Sequence, residues 1–250
     1  MFPSLSLTWT KPTTTECSAA GSRFVSPYEY GFDPCFLNPF LPGCATCFYE
    51  PSLPQCSDDC DFDPWGPNCP VSPVIIDLAA NGLRLSGPQP PVLFDLDADG
   101  EGDLTSWTRR RTDDGFLALD RNGNGHIDDA TELFGTATQL ASGQLAPNGF
   151  VALAELDGPA LGGNADRAIT AADSTFTDLL IWRDDDRDGE SEAGELFALS
   201  ELGVVAISLD YSESEIEDLW GNEFRLWSRV RTTEGDTWPV DVFFRRFEIP

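Results

Sequence analysis

The sequence predicts an α+β fold, with short antiparallel strands and short helices arranged around acidic loops, and three observations predict it. Short β-branched and aliphatic runs alternate with Asn-Gly and Pro-containing turns, the pattern of antiparallel strands. Segments with apolar residues at threes and fours follow several of these runs and predict helices. Between strand and helix stand loops in which oxygen-bearing side chains fall on alternate residues before a glycine.

In chain order, residues 1–70 form a loop-rich segment of their own, and residues 71–250 form an acidic module. All seven cysteines (Cys17, Cys35, Cys44, Cys47, Cys56, Cys60 and Cys69) fall in the first segment, among prolines and with no helical period. So little aliphatic sequence cannot bury a core, and disulfides would supply the missing constraint. The rival reading is zinc, because Cys44-x-x-Cys47 and Cys56-x-x-x-Cys60 have ligand-like spacing. An odd cysteine is left over in the disulfide reading.

Strands are expected at residues 74–78, 83–85, 92–96 and 116–119, the last running straight into an acidic loop. Helices are expected at 129–134, 150–156, 171–180 and 193–202; in the last, Leu196, Leu199 and Leu202 recur at threes and form one apolar stripe. Strands return at 204–209, 223–230 and 240–247. The tryptophans and phenylalanines read as core.

Composition excludes several functions. The chain carries 43 acidic and 15 basic residues, a formal charge of −28, and Lys11 is its single lysine. Such a field repels nucleic acid and anionic membrane, and it destabilises a compact chain unless cations neutralise part of it. No apolar run approaches the roughly 18 residues of a membrane span. Residues 1–20 show neither the basic start nor the continuous apolar core of a secretory leader. No Ser or Cys has a histidine partner nearby, and no phosphate-binding glycine loop occurs.

The loops carry the positive signal. From Asp184 to Glu195 the sequence follows the twelve-residue calcium loop of an EF-hand. Asp184, Asp186 and Asp188 stand at the first, third and fifth positions, and Gly189 makes the turn at the sixth. Glu190 offers its backbone carbonyl at the seventh, and Glu195 closes the shell at the twelfth with a bidentate carboxylate. An oxygen-only set with several anionic members suits Ca2+, which takes six to eight oxygens.

A second copy runs through Asp120, Asn122, Asn124, Gly125, His126 and Asp128. His126, the only histidine, sits where the backbone carbonyl and not the imidazole is the ligand. The nearest closing carboxylate is Glu132, one residue late, which implies a wider exit. A third copy comprises Asp95, Asp97, Asp99, Glu101 and Asp103, with Ser106 where a Glu should close. A fourth, from Asn164 through Asp166 to Asp173, lacks its first carboxylate. These EF-hand-like calcium loops are therefore the expected organising centres, and calcium ions the expected cofactor and partner.

The runs DDGFLALDRNGNGHIDDATELFG, NGFVALAELD and FTDLLIWRDDDRDGESEAGELFALSELGVVAISLDY, in this order and spacing, resemble the calcium-dependent self-processing module of repeat-in-toxin proteins secreted by Gram-negative bacteria. The resemblance covers residues 72–211. It implies a secreted, extracellular module that folds on calcium; in active members the module cleaves an Asp-Pro bond at its own N-terminal edge. That chemistry needs a carboxylate that attacks its own carbonyl carbon through a five-membered ring. The aligned pair here is Ser72-Pro73, and serine cannot form the cyclic anhydride. The adjoining loop keeps Asp77 but has Ala79 and Asn81 at ligand positions. The expected function is accordingly a calcium-binding structural or interaction module, with self-cleavage as the alternative. Asp33-Pro34 and Asp63-Pro64 read as turns.

Overall fold

The computed structural model describes residues 71–87 and 89–247. The cysteine-rich segment, with its disulfide and zinc readings and both Asp-Pro pairs, lies outside the described residues.

The α+β expectation is overturned, because the described residues are mostly antiparallel β-sheet. The strands are β1 (Val74–Asp77), β2 (Val92–Phe94), β3 (Asp103–Thr105), β4 (Asp114–Ala118), β5 (Ala168–Thr170), β6 (Leu180–Trp182) and β7 (Leu196–Ala198), then β8 (Val204–Ser208), β9 (Ser212–Glu217), β10 (Glu223–Trp227), β11 (Val230–Thr232), β12 (Asp236–Phe243) and β13 (Arg246–Phe247). One α-helix, α1 (Gly149–Ala154), and three 3-10 turns complete the described elements. Of the four expected helices only that at 150–156 forms. The helix expected at 129–134 is a single 3-10 turn, Ala130–Glu132, because Leu133 leaves it to bridge Ala118. At 171–180 there is a 3-10 turn, Ser174–Thr177, followed by β6. The leucine stripe at 193–202 contains β7, whose Leu196 and Phe197 pair with Trp182 and Ile181. Segments this short form few helical hydrogen bonds against the cost of nucleation, whereas the open edge of β6 supplies partners at once. No pair of helices flanks the acidic loops, as an EF-hand would require.

The large sheet runs β5-β8-β11-β12-β1-β4-β6-β7, with β10 also on β12 and β9 on β10; β13-β3-β2 form a second sheet. β12 is the hub. One edge pairs β1 from Trp238 to Asp241; the other pairs β11 through Asp236 and Thr237 and β10 from Val240 to Phe243. Pro239, which has no N–H to give, falls where the second edge passes from β11 to β10, and its carbonyl accepts from Ser228 N at 3.1 Å. β9 has no apolar face and is mostly exposed; it exists because β10 offers it an edge.

Alternation along the central strands divides the apolar residues between two cores. Val74 and Ile76 of β1, Leu117 of β4 and Ile181 of β6 enter a core closed by Ala152 and Leu153 of α1. Ile75, Phe116 and Trp182 enter the other. That second core is aromatic: Trp107 meets Phe116, Phe94 and Trp182 at centroid distances of 4.4, 5.3 and 5.6 Å. Trp107 links this core to an acidic loop, because its indole N–H donates to Asp184.

Helix α1 is held by a buried charge. Asn148 caps it by accepting from Val151 N at 2.8 Å, and Gly149 N donates to Oδ2 of Asp241 at 2.8 Å. A Cβ on Gly149 would meet Val74 Cγ2 at 2.4 Å, so the close approach requires glycine. Asp241 is fully buried. The Ser72 hydroxyl lies beside its carboxyl but out of good hydrogen-bond geometry, so that Ser72 Oγ and Asp241 Oδ1 both lack a partner. Burial pushes the Asp241 carboxyl up to about 6. Between about pH 4 and 6 the folded chain holds a proton that the unfolded chain has released, so this group lowers stability as pH rises through that window. Asp241→Asn keeps the acceptor for Gly149 and adds a donor for Ser72. At fixed calcium it is expected to raise stability at pH 7.5 by about 2–3 kcal/mol and to flatten the pH 4–6 slope, as read from urea melts of parent and variant.

Candidate metal centres

Five loops share one hydrogen-bonding scheme. In each, the first-position carboxylate accepts the backbone N–H groups of the fifth and sixth positions, one on each oxygen. Asp184 accepts from Asp188 N at 3.3 Å and Gly189 N at 2.9 Å; Asp120 accepts from Asn124 N at 3.2 Å and Gly125 N at 2.8 Å. Asp95 accepts from Asp99 N and Gly100 N at 3.1 and 2.9 Å. In Asp77 the donors are Asn81 N and Gly82 N, at 3.2 and 2.7 Å. In these four loops the sixth residue is a glycine at positive φ, from +80° at Gly189 to +98° at Gly82, where glycine is unstrained. The chain thus wraps tightly round one carboxylate.

The fifth loop was only partly legible in the sequence. Its first carboxylate is supplied from across an insertion by Asp157, which accepts from Asp166 N at 3.2 Å and Arg167 N at 2.8 Å. Arg167 takes the sixth position at φ +69°. Asp173 closes this loop by accepting from Asn164 N at 3.1 Å and Thr170 N at 2.7 Å.

The closing residues follow a parallel rule. Glu195 accepts from the second-position amide, Asp185 N, at 2.7 Å. Glu132 does the same with Arg121 N at 2.9 Å and also accepts from Asp128 N at 2.9 Å. Glu132 therefore stands where Glu195 stands, despite its later place in the chain. Asp103 accepts from Leu96 N at 3.2 Å and fills this place in the Asp95 loop. In the Asp77 loop Asp113 accepts instead from the third-position amide, Ala79 N, and from the Asn81 side-chain amide, both at 2.8 Å. No local spacing indicates Asp113, because it arrives from the start of β4.

Among the described residues, three sets of carboxylate oxygens gather within 4.8 Å of one another: Asp184, Asp186 and Glu195; Asp95, Asp97 and Asp99; Asp77, Asp113 and Asp114. Asp188 and Glu190 lie outside the first set; Asp188 instead accepts from Glu190 N at 2.9 Å. In the Asp120 loop, Asp128 takes the amide groups of Asn122 and Asn124 at 2.9 and 2.7 Å, and these bonds hold its carboxyl below the usual range. Asn124 accepts from His126 N at 2.8 Å. The His126 ring points away: Nδ1 contacts the Ser191 carbonyl at 2.8 Å. Ile127 N also donates to Ser191 Oγ at 2.6 Å, which joins the eighth positions of the two loops.

The electrostatics differ from loop to loop. Burial raises the Asp184 carboxyl, and the charge of Glu195 adds to the effect. Glu192, hydrogen-bonded to Glu195, is pushed up to about 7. Crowded carboxylates that hold protons at such pH are what a divalent cation relieves. Burial likewise raises Asp114 to about 6; it is buried, and its Oδ1 has no hydrogen-bond partner. The Asp95 loop is partly neutralised already. Arg246 pairs with Asp97 and, at 3.2 Å, with Asp103, while the N–H of Glu101 donates to Asp99 at 2.8 Å. The donor sets fit a hard, oxygen-seeking cation, best of all at Asp184, Asp186 and Glu195.

A β-sheet hub bearing repeated carboxylate-centred loops defines a class, and the chain belongs to the SPM domain family, which it matches over residues 74–245. The match extends well past residue 211 and takes in β9 to β12. Among curated proteins the chain is similar to iron-regulated protein FrpA of Neisseria meningitidis serogroup C, with 38% identity over 167 residues, which cover 66% of this chain and 14% of that protein. It thus spans a small part of the length of that relative. Among the described residues no helix is long and apolar enough to cross a membrane.

Proposed function

We propose that this chain is a calcium-binding, self-processing-type module of a secreted repeat-in-toxin protein, in which calcium ions at strand-flanked loops hold the sheet together and self-cleavage has been lost. The observation that carries the reading is the recurrence of one carboxylate-centred scheme in five loops, with three oxygens converging at Asp184, Asp186 and Glu195. The acidic composition and the similarity to FrpA support it.

In this reading the residues divide the work. First-position carboxylates bind the turn and the ion together, closing carboxylates fix the second half of each loop, and Trp107 and Trp182 tie Asp184 and Glu195 to the aromatic core through their indole N–H groups. Position 72 offers a hydroxyl where ring closure needs a carboxylate.

Equilibrium dialysis against radioactive calcium, followed by weighing of the chain, tests the reading. At least three ions per chain are expected, with the protein intact. Fewer than two ions overturns the proposal; a fragment that begins at Pro73 overturns the loss of cleavage.

A further inference from the structure

The Asp95 loop differs from the other acidic loops in what holds it shut. Strand β13 pairs β3 antiparallel, with Arg246 opposite Thr105. Asp103, two residues before Thr105, lies on the same face of β3, at a diagonal from Arg246 that a long side chain can span. The guanidinium spans it: Nη1 pairs with Asp103 at 3.2 Å and also with Asp97. The side chains of Arg246, Asp97 and Asp103 are 11%, 23% and 18% exposed, so salt and water screen these contacts only in part.

The two carboxylates stand at the third and closing positions of the loop. In the Asp184 loop the closing Glu195 converges with Asp184 and Asp186, whereas Asp103 stands outside the set formed by Asp95, Asp97 and Asp99. One Asp103 oxygen accepts from Leu96 N at 3.2 Å and the other from the guanidinium. Among the described residues the other two sets of converging carboxylates make no ion pair. An arginine here is a permanent cation, because the guanidinium keeps its proton throughout the ordinary pH range. A divalent ion bound to Asp95, Asp97 and Asp99 would face that like charge across a shared carboxylate. A double and a single charge a few ångströms apart repel enough to weaken binding about tenfold or more, even at the dielectric constant of water.

We propose that Arg246 is a tethered competitor of calcium in the Asp95 loop. At low calcium it holds Asp97 and Asp103 and keeps β13 on β3; this loop fills last, and the ion enters by displacing Arg246 and loosening β13. The order of filling rests on the calcium-binding function proposed for the loops and adds a regulated step to it. The Asp184 loop has no such competitor and fills first. Strand β13 is only Arg246–Phe247 and sits at the end of the sheet β13-β3-β2. So few backbone hydrogen bonds make it a low-stability element, which opens locally once its side-chain anchor is lost.

The test uses the full chain, with circular dichroism recorded for each variant so that loss of fold is recognised separately. Calorimetric titration of the parent with calcium is expected to show a weak step after the strong ones. Arg246→Met keeps the aliphatic stem and removes the charge; it is expected to tighten that step about tenfold or more and to leave the others unchanged. Asp99→Asn changes a carboxylate of the set that neither ion pair uses, and it is expected to abolish the weak step. Hydrogen exchange is followed by mass spectrometry on peptides that contain residues 103–105 and 246–247. In the parent their protection is expected to fall as the weak step fills; in Asp99→Asn it should hold at every calcium concentration. A parent that binds fewer than two ions overturns the calcium-binding function and this inference with it. With two or more ions bound, a parent without a weak step, or an Arg246→Met chain in which that step is unchanged or weaker, overturns the competition alone. Exchange at β13 that ignores calcium overturns its release. If Arg246→Met does not fold, the comparison of parent with Asp99→Asn decides.

Discussion

In excess chelator the acidic module is expected to lose its native sheet signal and its cooperative melt near neutral pH. The sequence supplies the driving force, since a chain of −28 repels itself in any compact state. The structure concentrates that repulsion, because carboxylates converge within 4.8 Å at three places among the described residues, one of which joins Asp77 to Asp113 and Asp114, and Asp184 and Asp114 are buried there. Ligands that meet only in the folded chain convert metal-binding energy into folding energy. At free calcium about a thousandfold above Kd each site contributes about 4 kcal/mol. Three such sites give about 12 kcal/mol, comparable to the whole stability of an ordinary domain. Far-ultraviolet circular dichroism and thermal melts, with calcium and with chelator, measure this. An unchanged spectrum and midpoint in chelator would remove calcium from the folding account, and recovery with magnesium alone would reassign the ion.

The second large effect is expected at Glu195. Its carboxylate is nearly buried, accepts from Asp185 N at 2.7 Å and receives the Trp182 indole N–H at 3.4 Å. Glu195→Gln keeps the volume and the acceptor for Asp185, and it removes the charge and one carboxylate oxygen. The calorimetric titration should lose one site or show it weakened by at least about a hundredfold, about 3 kcal/mol, with the other sites still countable. The control is Glu190→Gln: the seventh position works through its backbone carbonyl, so this change should alter affinity by less than about threefold. If Glu195→Gln leaves both the number of sites and their affinities unchanged, the loop assignment fails.

The loops were legible because their chemistry is local. A first-position carboxylate, alternate oxygens and a glycine at positive φ lie within a few residues of one another, and Asp184, Asp120 and Asp95 each adopt the geometry that this spacing dictates. The strands that lead into them were legible for a similar reason, since β1, β4 and β8 are β-branched or aliphatic and bounded by turns. Helices failed where local pattern and tertiary pairing compete. The leucine spacing at 196, 199 and 202 suits a helix, yet an open strand edge at β6 takes the same backbone, and a ten-residue segment has too few internal hydrogen bonds to resist.

By itself, then, the sequence determined the acidic, oxygen-rich loops, their turns and the charge that calls for a cation. Only the tertiary structure decided which partners reach the loops from farther along the chain. Asp113 reaches the Asp77 loop from β4, Asp157 reaches the Asn164 loop across an insertion, and Arg246 reaches back to Asp97 and Asp103. The physical reason is range: a turn is fixed by the torsions and hydrogen bonds of its own residues, whereas a coordination shell is completed by whichever oxygen the sheet brings near.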